Sequence, residues 1–260
     1  MGFSIDVQLL AVALALVVRF SILAAALPLL DLRSVPVLWR FGLAGCFAAS
    51  LAPAVAAGLE PGTVQLTWSA LVMEAVRSLV VGALLGVTVN LLFTAVRYAG
   101  EVAGMQIGFA IVNAFDPMSN SQISVISQFY HILAVLLFFT TGAHHTLAAA
   151  MYQSCLSVPP FAPVDPTGGA WVLVREFSGV FAAGLRIAAP VALVLLMVSA
   201  SMGVVVKTVP QINVLVVGFP IKIAVGLVTL GLSLVFYRSA VMGLIGGMDD
   251  QLSRVLTAIN

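Results

Sequence analysis

The sequence predicts an all-α fold, that of a multi-pass membrane protein with broken or kinked helical hairpins. Of its 260 residues, 62% are apolar and only 8% are charged, whereas a soluble domain is about a quarter charged. With 11 basic and 10 acidic residues, the chain lacks the polar side chains that a water-exposed surface needs. We therefore expect lipid, or the apolar faces of partner subunits, to surround most of it.

Six apolar stretches reach, or nearly reach, the roughly 20 residues that a bilayer-spanning helix needs. Their apolar runs are continuous, which favours helices over barrel strands, in which apolar and polar residues alternate. The connections between them are short, so we expect one integral membrane domain over residues 1–260. The stretches cover residues 7–30, 37–59, 71–96, 132–154, 180–206 and 212–236, and a weaker helix is expected over residues 100–113.

Prolines mark the expected helix breaks, because proline lacks the N–H that continues a helix. Ser119 with Gln122 has the form of a capping box, which predicts that the helix carrying residues 128–139 begins there. The segments 210–213 and 218–222 combine proline with polar groups, a pattern typical both of broken transporter helices and of a tight hairpin with a kinked second arm. The expected breaks include Pro28, Pro36, Pro53, Pro61, Pro117, Pro159, Pro160, Pro163, Pro166, Pro210 and Pro220.

Charged side chains within apolar helices are costly, and they usually face a partner, a cavity or the interior of a bundle. Glu74 and Arg77 stand three residues apart, so we expect either a salt bridge between them or a proton relay. Arg19, Arg186 and Lys222 have no acidic neighbour in sequence. They are expected to contact carbonyl groups or other subunits, and Arg186 could also extend its guanidinium to the membrane interface.

The residues expected for catalysis or metal binding are absent from the sequence. His144 and His145 are adjacent and point to different helix faces, and no acidic residue or cysteine lies at ligand spacing from them. No nucleophile stands with a base and an orienting group, and no phosphate-binding Gly-x-x-x-x-Gly-Lys-Ser/Thr motif occurs. The net charge of +1 gives no reason to expect a nucleic-acid partner. We predict a protein that is not an enzyme and needs no cofactor or metal.

Glycine recurs every four residues at Gly100, Gly104 and Gly108, which we call the glycine face. Small residues at this spacing let two helix backbones approach closely. The partner helix could belong to this chain or to a neighbouring subunit, and the sequence supports both possibilities equally.

An apolar segment with two aromatic residues follows the glycine face. Pro117 disfavours a helical conformation at Asp116, so the segment is expected to leave its helix. A non-helical stretch this hydrophobic cannot easily face lipid, because its backbone groups would lack hydrogen-bond partners. An ordinary buried loop and a loop that blocks a pore are both consistent with that constraint. The segment contains Phe109, Phe115, Asp116, Pro117 and Met118.

Several motifs, taken together over nearly the whole chain, resemble the FliR family of flagellar biosynthesis proteins, membrane components of the bacterial type III export gate. The His144-His145 pair and the proline-rich stretch 158–166 match nothing in that resemblance. The matching motifs are Arg33-Ser34-Val35-Pro36, Arg40-x-Gly42-Leu43, Gly100-Glu101-x-x-Gly104-x-Gln106-x-Gly108, Phe115-Asp116-Pro117, Pro210-Gln211-x-Asn213 and Gly218-Phe219-Pro220-x-Lys222.

The resemblance implies a subunit of a helical, cone-like assembly in the bacterial inner membrane, within the flagellar basal body. Its partners would be the FliP and FliQ subunits, with FlhB and FlhA as further components, and unfolded flagellar proteins would pass through. The segment with Phe109, Phe115, Asp116, Pro117 and Met118 would help to plug the closed channel. An equivalent subunit of a virulence-type secretion system and a small-molecule or ion transporter are the alternatives.

The same resemblance predicts two surfaces at which helices or subunits pack. The first is the glycine face. The second is the hairpin from Pro210 to Lys222, which contains Pro210, Gln211, Asn213, Gly218, Phe219, Pro220 and Lys222.

Overall fold

A computed structural model describes residues 7–27, 36–59, 67–109, 124–209 and 214–260. All regular secondary structure in those ranges is helical, which confirms the predicted fold class. The expected breaks at Pro28, Pro61, Pro117 and Pro210 and the capping box at Ser119 lie outside the described ranges. The helices are α1 (Val7–Ala26), α2 (Val37–Ala57), α3 (Trp68–Ile107), α4 (Val125–Thr140), α5 (Ala143–Ser157), α6 (Pro166–Thr208), α7 (Val214–Gly246) and α8 (Met248–Ile259).

Five described helical segments are long and apolar enough to cross a membrane, and a bent helix pair would make a sixth. The five are α1, α2, α3, α6 and the segment from α7 into α8. The bent pair corrects the prediction of one helix over residues 132–154, because α4 and α5 meet there at 71°. Gly142 lies at the bend with a φ of +73°, a left-handed conformation that glycine adopts without steric cost.

The prediction of separate helices over residues 71–96 and 100–113 is wrong, because α3 is one 40-residue helix that runs unbroken from Trp68 to Ile107. No proline stands between the two stretches. Gly108 ends the helix with a φ of +105°. Its N–H donates to the carbonyl of Met105 and that of Phe109 donates to the carbonyl of Gly104, which is the hydrogen-bond pattern of a Schellman motif.

Several prolines do not break helices as predicted. Pro53 lies inside α2 and Pro220 lies inside α7, so the predicted interruption at residues 218–222 is wrong. Membrane helices tolerate proline where neighbouring groups satisfy the freed carbonyl. Pro166 is the first residue of α6, and the Asp165 carboxylate caps that helix by accepting the N–H of Thr167 at 2.9 Å.

The helix carrying residues 128–139 also begins later than predicted. Ser124 has non-helical backbone angles immediately before α4, which starts at Val125. A helix starting at Ser119 would have to include Ser124. The predicted start at Ser119 is therefore wrong, and the Ser124 side chain makes no capping hydrogen bond at the observed start.

The described residues form two compact units, and α3 and α6 contribute to both. The first unit contains residues up to 91, residues 142–177 and residues 247–260. In it α1 packs against α2, and α5 packs against α8. Gly82 and Gly86 of α3 face α1 so closely that a Cβ at Gly82 would collide with the Arg19 carbonyl.

The second unit contains residues 92–141 and 178–246. Phe93, Tyr130 and Phe138 are fully buried in it. Helices α4 and α7 pack against each other, and the Tyr237 hydroxyl donates to the carbonyl of Tyr130. Close packing at glycine recurs here, because a Cβ at Gly184 would come within 2.6 Å of the Tyr98 ring.

Three glycine-to-alanine substitutions should separate close packing from helix propensity. A Cβ at Gly100 would meet the Ser127 backbone, one at Gly104 would meet the Ser124 hydroxyl, and Gly231 faces open space. We expect Gly100→Ala to destabilise the fold by about 1–3 kcal/mol and Gly104→Ala by less, because a hydroxyl rotates more easily than a backbone moves. Gly231→Ala should stabilise by about 0.5–1 kcal/mol. The midpoints of thermal unfolding in detergent measure the order of stability of the three variants. Equal midpoints for Gly100→Ala and Gly231→Ala would contradict the close packing of Gly100 against Ser127.

Candidate functional site

The glycine face lies against the start of α4, within the second unit. The Ser127 hydroxyl donates to the carbonyl of Arg97 at 2.9 Å, and the Ser124 N–H donates to the Glu101 carboxylate at 3.2 Å. Gly100 and Gly104 leave the space that these two serines occupy. Glycine and serine therefore bring α3 and α4 close enough for direct hydrogen bonds between a helix and the end of its neighbour.

The two predicted packing surfaces meet within the described part of the chain. A Cβ at Gly108 would come within 3.2 Å of the Phe219 ring, and one at Gly226 would come within 2.7 Å of the Ile107 side chain. Gly218 is buried and Lys222 is half-buried. The end of α3 and the first turns of α7 thus share one contact at the point where the predicted plug segment begins. That either surface also contacts another subunit stays a prediction.

Most of the predicted plug segment lies outside the described residues. Phe109 is described, half-buried, and its N–H completes the motif that ends α3. Phe115, Asp116, Pro117 and Met118 are outside, and so are Pro210, Gln211 and Asn213 of the predicted hairpin. Their predicted roles stay predictions.

Charged side chains of the first unit hold the proline-rich stretch 158–166, and we call Arg19, Glu74 and Arg77 the charged clamp. Arg19 is 1% exposed, and one of its guanidinium nitrogens donates to the carbonyls of Ser154 at 3.0 Å and Val158 at 2.9 Å. These carbonyls lie at the C-terminal end of α5, where a helix leaves acceptors unpaired and favours a cation. The prediction that Arg19 contacts carbonyl groups is confirmed.

Glu74 and Arg77 both bind the backbone of Phe161. The Phe161 N–H donates to Glu74 Oε2 at 2.7 Å, and Arg77 donates to the Phe161 carbonyl at 3.3 Å. The second Glu74 oxygen accepts from Ser78 at 2.9 Å. Phe161 has a φ of +69°, a region that costs energy for a residue with a side chain. The two charged side chains hold this peptide in its strained conformation.

The predicted salt bridge between Glu74 and Arg77 is wrong. No ion pair joins these two side chains. Among the described residues, an ion pair is formed instead between Arg254 and Glu176, with a nitrogen-to-oxygen distance of 3.6 Å. The side chains of Glu74 and Arg77 both reach forward to the same loop peptide. The sequence could not show this, because the loop is distant along the chain and only its prolines mark it as irregular.

The described residues contain no group of three or more histidine, cysteine or acidic side chains that could hold a metal ion. His144 and His145 lie in the first turn of α5, and their rings stack at a centroid distance of 4.0 Å. Cys155 is buried and Cys46 is exposed, and both are free thiols. The arrangement in the described ranges binds backbone groups and packs helices.

The family described as "Bacterial export proteins, family 1" matches residues 10–248. The chain belongs to this family of bacterial export proteins. The match contains the glycine contacts of α3 with α1 and α4 and the charged clamp, and it confirms the resemblance that the sequence motifs indicate.

Curated relatives in distant bacteria carry one name, "Flagellar biosynthetic protein FliR". The relative from Pectobacterium carotovorum subsp. carotovorum is 32% identical over 71% of each chain. The relative from Bacillus subtilis (strain 168) is 32% identical over 82% of each chain. The relative from Escherichia coli (strain K12) is 31% identical over 80% of this chain and 78% of its own. This member of the family therefore aligns with most of the length of its relatives.

The structure adds residues to which the sequence analysis assigned no role. The backbone of Phe161 binds Glu74 and Arg77 of the charged clamp. Ser124 and Ser127 pack against the glycine face. Proline density was the available signal for the loop. For the serines the signal was two small polar residues three positions apart, opposite glycines, a pattern that is too common to interpret alone.

Removing the Glu74 carboxylate should release the loop at Phe161. We expect Glu74→Ala to destabilise the first unit by about 1–2 kcal/mol, because the half-buried Phe161 N–H loses its charged acceptor, and to expose residues 158–165 to protease. The matched control is Glu176→Ala, which removes an ion pair with the exposed Arg254 that is worth about 0–1 kcal/mol and should leave cleavage unchanged. Limited proteolysis with mapping of the cut sites measures both, and equal cleavage in the two variants would exclude the clamp.

Proposed function

We propose that this chain is a membrane subunit of the flagellar type III export gate, in the inner membrane at the base of the flagellum. With the FliP and FliQ subunits, and next to FlhB and FlhA, it would form and plug the entry channel for unfolded flagellar proteins. The observation that carries the proposal is the family match over residues 10–248, together with relatives of about this length named as flagellar biosynthetic proteins.

The surface of the described residues supports a role inside an assembly. Large apolar side chains are exposed along all the long helices, including Leu38 at 84% and Val235 at 81%. Lipid could cover part of such a surface, and neighbouring apolar helices would cover the rest. Export as the function requires no chemistry from this chain, which fits the binding and packing roles of its polar groups.

The flagellar role is favoured over the alternatives. The curated relatives are named for flagellar biosynthesis, which argues against the virulence-type system. The transporter hypothesis depended on two helix interruptions around residues 210–222. The second interruption, at residues 218–222, is not present, because Gly218, Pro220 and Lys222 lie within the continuous helix α7.

Deleting the gene in its own host should abolish the flagellar filament while leaving growth unchanged. Expression of the intact chain from a plasmid should restore filaments and swimming. Electron microscopy of cells and the presence of flagellin in the culture medium are the measurements. A deletion strain that still swims, or that loses only the secretion of virulence proteins, would refute the flagellar proposal.

The plug role of the segment after α3 predicts a leak. Replacing residues 110–118 by an equally long Gly/Ser segment should raise ion conductance through the assembled channel, because the apolar side chains that fill the pore are lost while the chain length is kept. The control is Trp171→Ala, which removes an exposed ring far along the sequence on α6. Channel currents in planar bilayers measure the effect, and equal conductance in both variants would remove the segment from the plug.

A further inference from the structure

A groove on the second unit lies between α6 and α7. Its volume is about 370 Å³. Small residues form most of its lining, namely Ala183 on α6 and Ser239, Ala240 and Gly243 on α7. Nothing lies within 4 Å of the place where a Gly243 side chain would begin. The groove is therefore open at Gly243, where another backbone can approach.

Arg186 lines the same groove and brings a positive charge to it. Its side chain is exposed, and it has no hydrogen bond or ion pair with any residue that the structure describes. Among the described residues of this unit, the one carboxylate is Glu101, which already accepts the Ser124 N–H. An arginine between two apolar helices needs an anionic or carbonyl partner. The described part of its own unit supplies none.

We propose that this groove is the docking site for an apolar helix of a neighbouring protein subunit, and that this helix carries an aspartate or glutamate that pairs with Arg186. The proposal rests on the proposed function in that it requires an assembly, and it adds the place of contact and the chemistry of the partner. Ser239 and Gly243 are four residues apart, the spacing at which small side chains let two membrane helices touch. The carboxylate would then reach Arg186 across the groove and fix the register of the incoming helix.

A lipid phosphate is the other anion available to Arg186, and the geometry favours the helix. Binding sites for lipid headgroups are clusters of basic residues, whereas Arg186 is the single basic side chain lining this groove. Small side chains such as Ser239 and Gly243 let a helix backbone approach closely and gain van der Waals contact along the groove. A flexible lipid tail does not need small side chains to make such contact. The groove thus has the features of a helix-binding site that carries one positive charge, that of Arg186.

Crosslinking in the native membrane tests the occupant. A photoreactive benzophenone amino acid at Ser239, in the full chain expressed from its own locus, should form a protein adduct. The crosslinked peptide should map to an apolar segment containing Asp or Glu. Adducts with phospholipid alone, or with a segment that lacks a carboxylate, would overturn the proposal.

Charge reversal then tests the pairing. Arg186→Glu should lower the yield of that adduct about tenfold, the effect of losing one interhelical polar contact. Arg186→Lys should retain most of the adduct yield. In the Arg186→Glu background, replacing the mapped carboxylate residue of the partner by lysine should restore the yield. The matched control is Arg238→Glu, an exposed arginine of α7 that does not line the groove, and it should change nothing.

The two proposals fail in different ways. If the chain restores swimming in the deletion strain while charge reversal leaves the adduct unchanged, the docking site is wrong and the flagellar function stands. If the intact chain does not restore swimming, the proposed function fails whatever the groove binds.

Discussion

Close approach of helix backbones at glycine is the interaction on which both units depend. Apolar helices in an apolar environment gain little hydrophobic free energy from meeting each other, so contact area and short backbone distances must stabilise them. Gly82 and Gly86 bring α3 against α1, and Gly100 and Gly104 bring it against α4. One long helix therefore uses glycine twice, once in each unit.

The charged side chains of these helices bind backbone groups. Arg19 contacts the last carbonyls of α5, while Glu74 and Arg77 hold both polar groups of the Phe161 peptide. A buried charge is costly unless it is hydrogen-bonded, and an irregular loop among apolar helices has the same need. In the charged clamp, Glu74 and Arg77 satisfy the backbone groups of Phe161, and one guanidinium nitrogen of Arg19 binds two carbonyls. The other two guanidinium nitrogens of Arg19 are buried without a hydrogen-bond partner among the described residues. This gives these residues a structural role and removes the reason to read Glu74 and Arg77 as a proton relay.

The sequence was sufficient for the fold class, for the presence of helix within the apolar stretches and for carbonyl contacts at Arg19, because these follow from composition, run length and the cost of a lone charge. It did not reveal that α3 continues through residues 96–100 or that Pro220 lies inside a helix. Whether proline or glycine ends a helix depends on what packs beside it, and that information comes from other segments. The bend at Gly142 and the clamp on Phe161 depend on distant partners in the same way.

The glycines of the described residues fall into two classes. At the close-packed glycines of α3, other parts of the chain occupy the space beside the backbone, whereas glycines on α2, α6 and α7 face open space. The open ones accompany exposed apolar side chains, so they are placed where a further helix would gain the most contact. They are Gly42, Gly45, Gly179, Gly203, Gly231, Gly243 and Gly246.

We expect these open faces to be covered only when neighbouring subunits are present. Gentle detergent extraction of the tagged chain from its own membranes, followed by native mass spectrometry, tests it most directly. We expect one large particle containing other membrane subunits, and aggregation when the chain is produced alone. A monodisperse, freestanding monomer in both preparations would contradict the account.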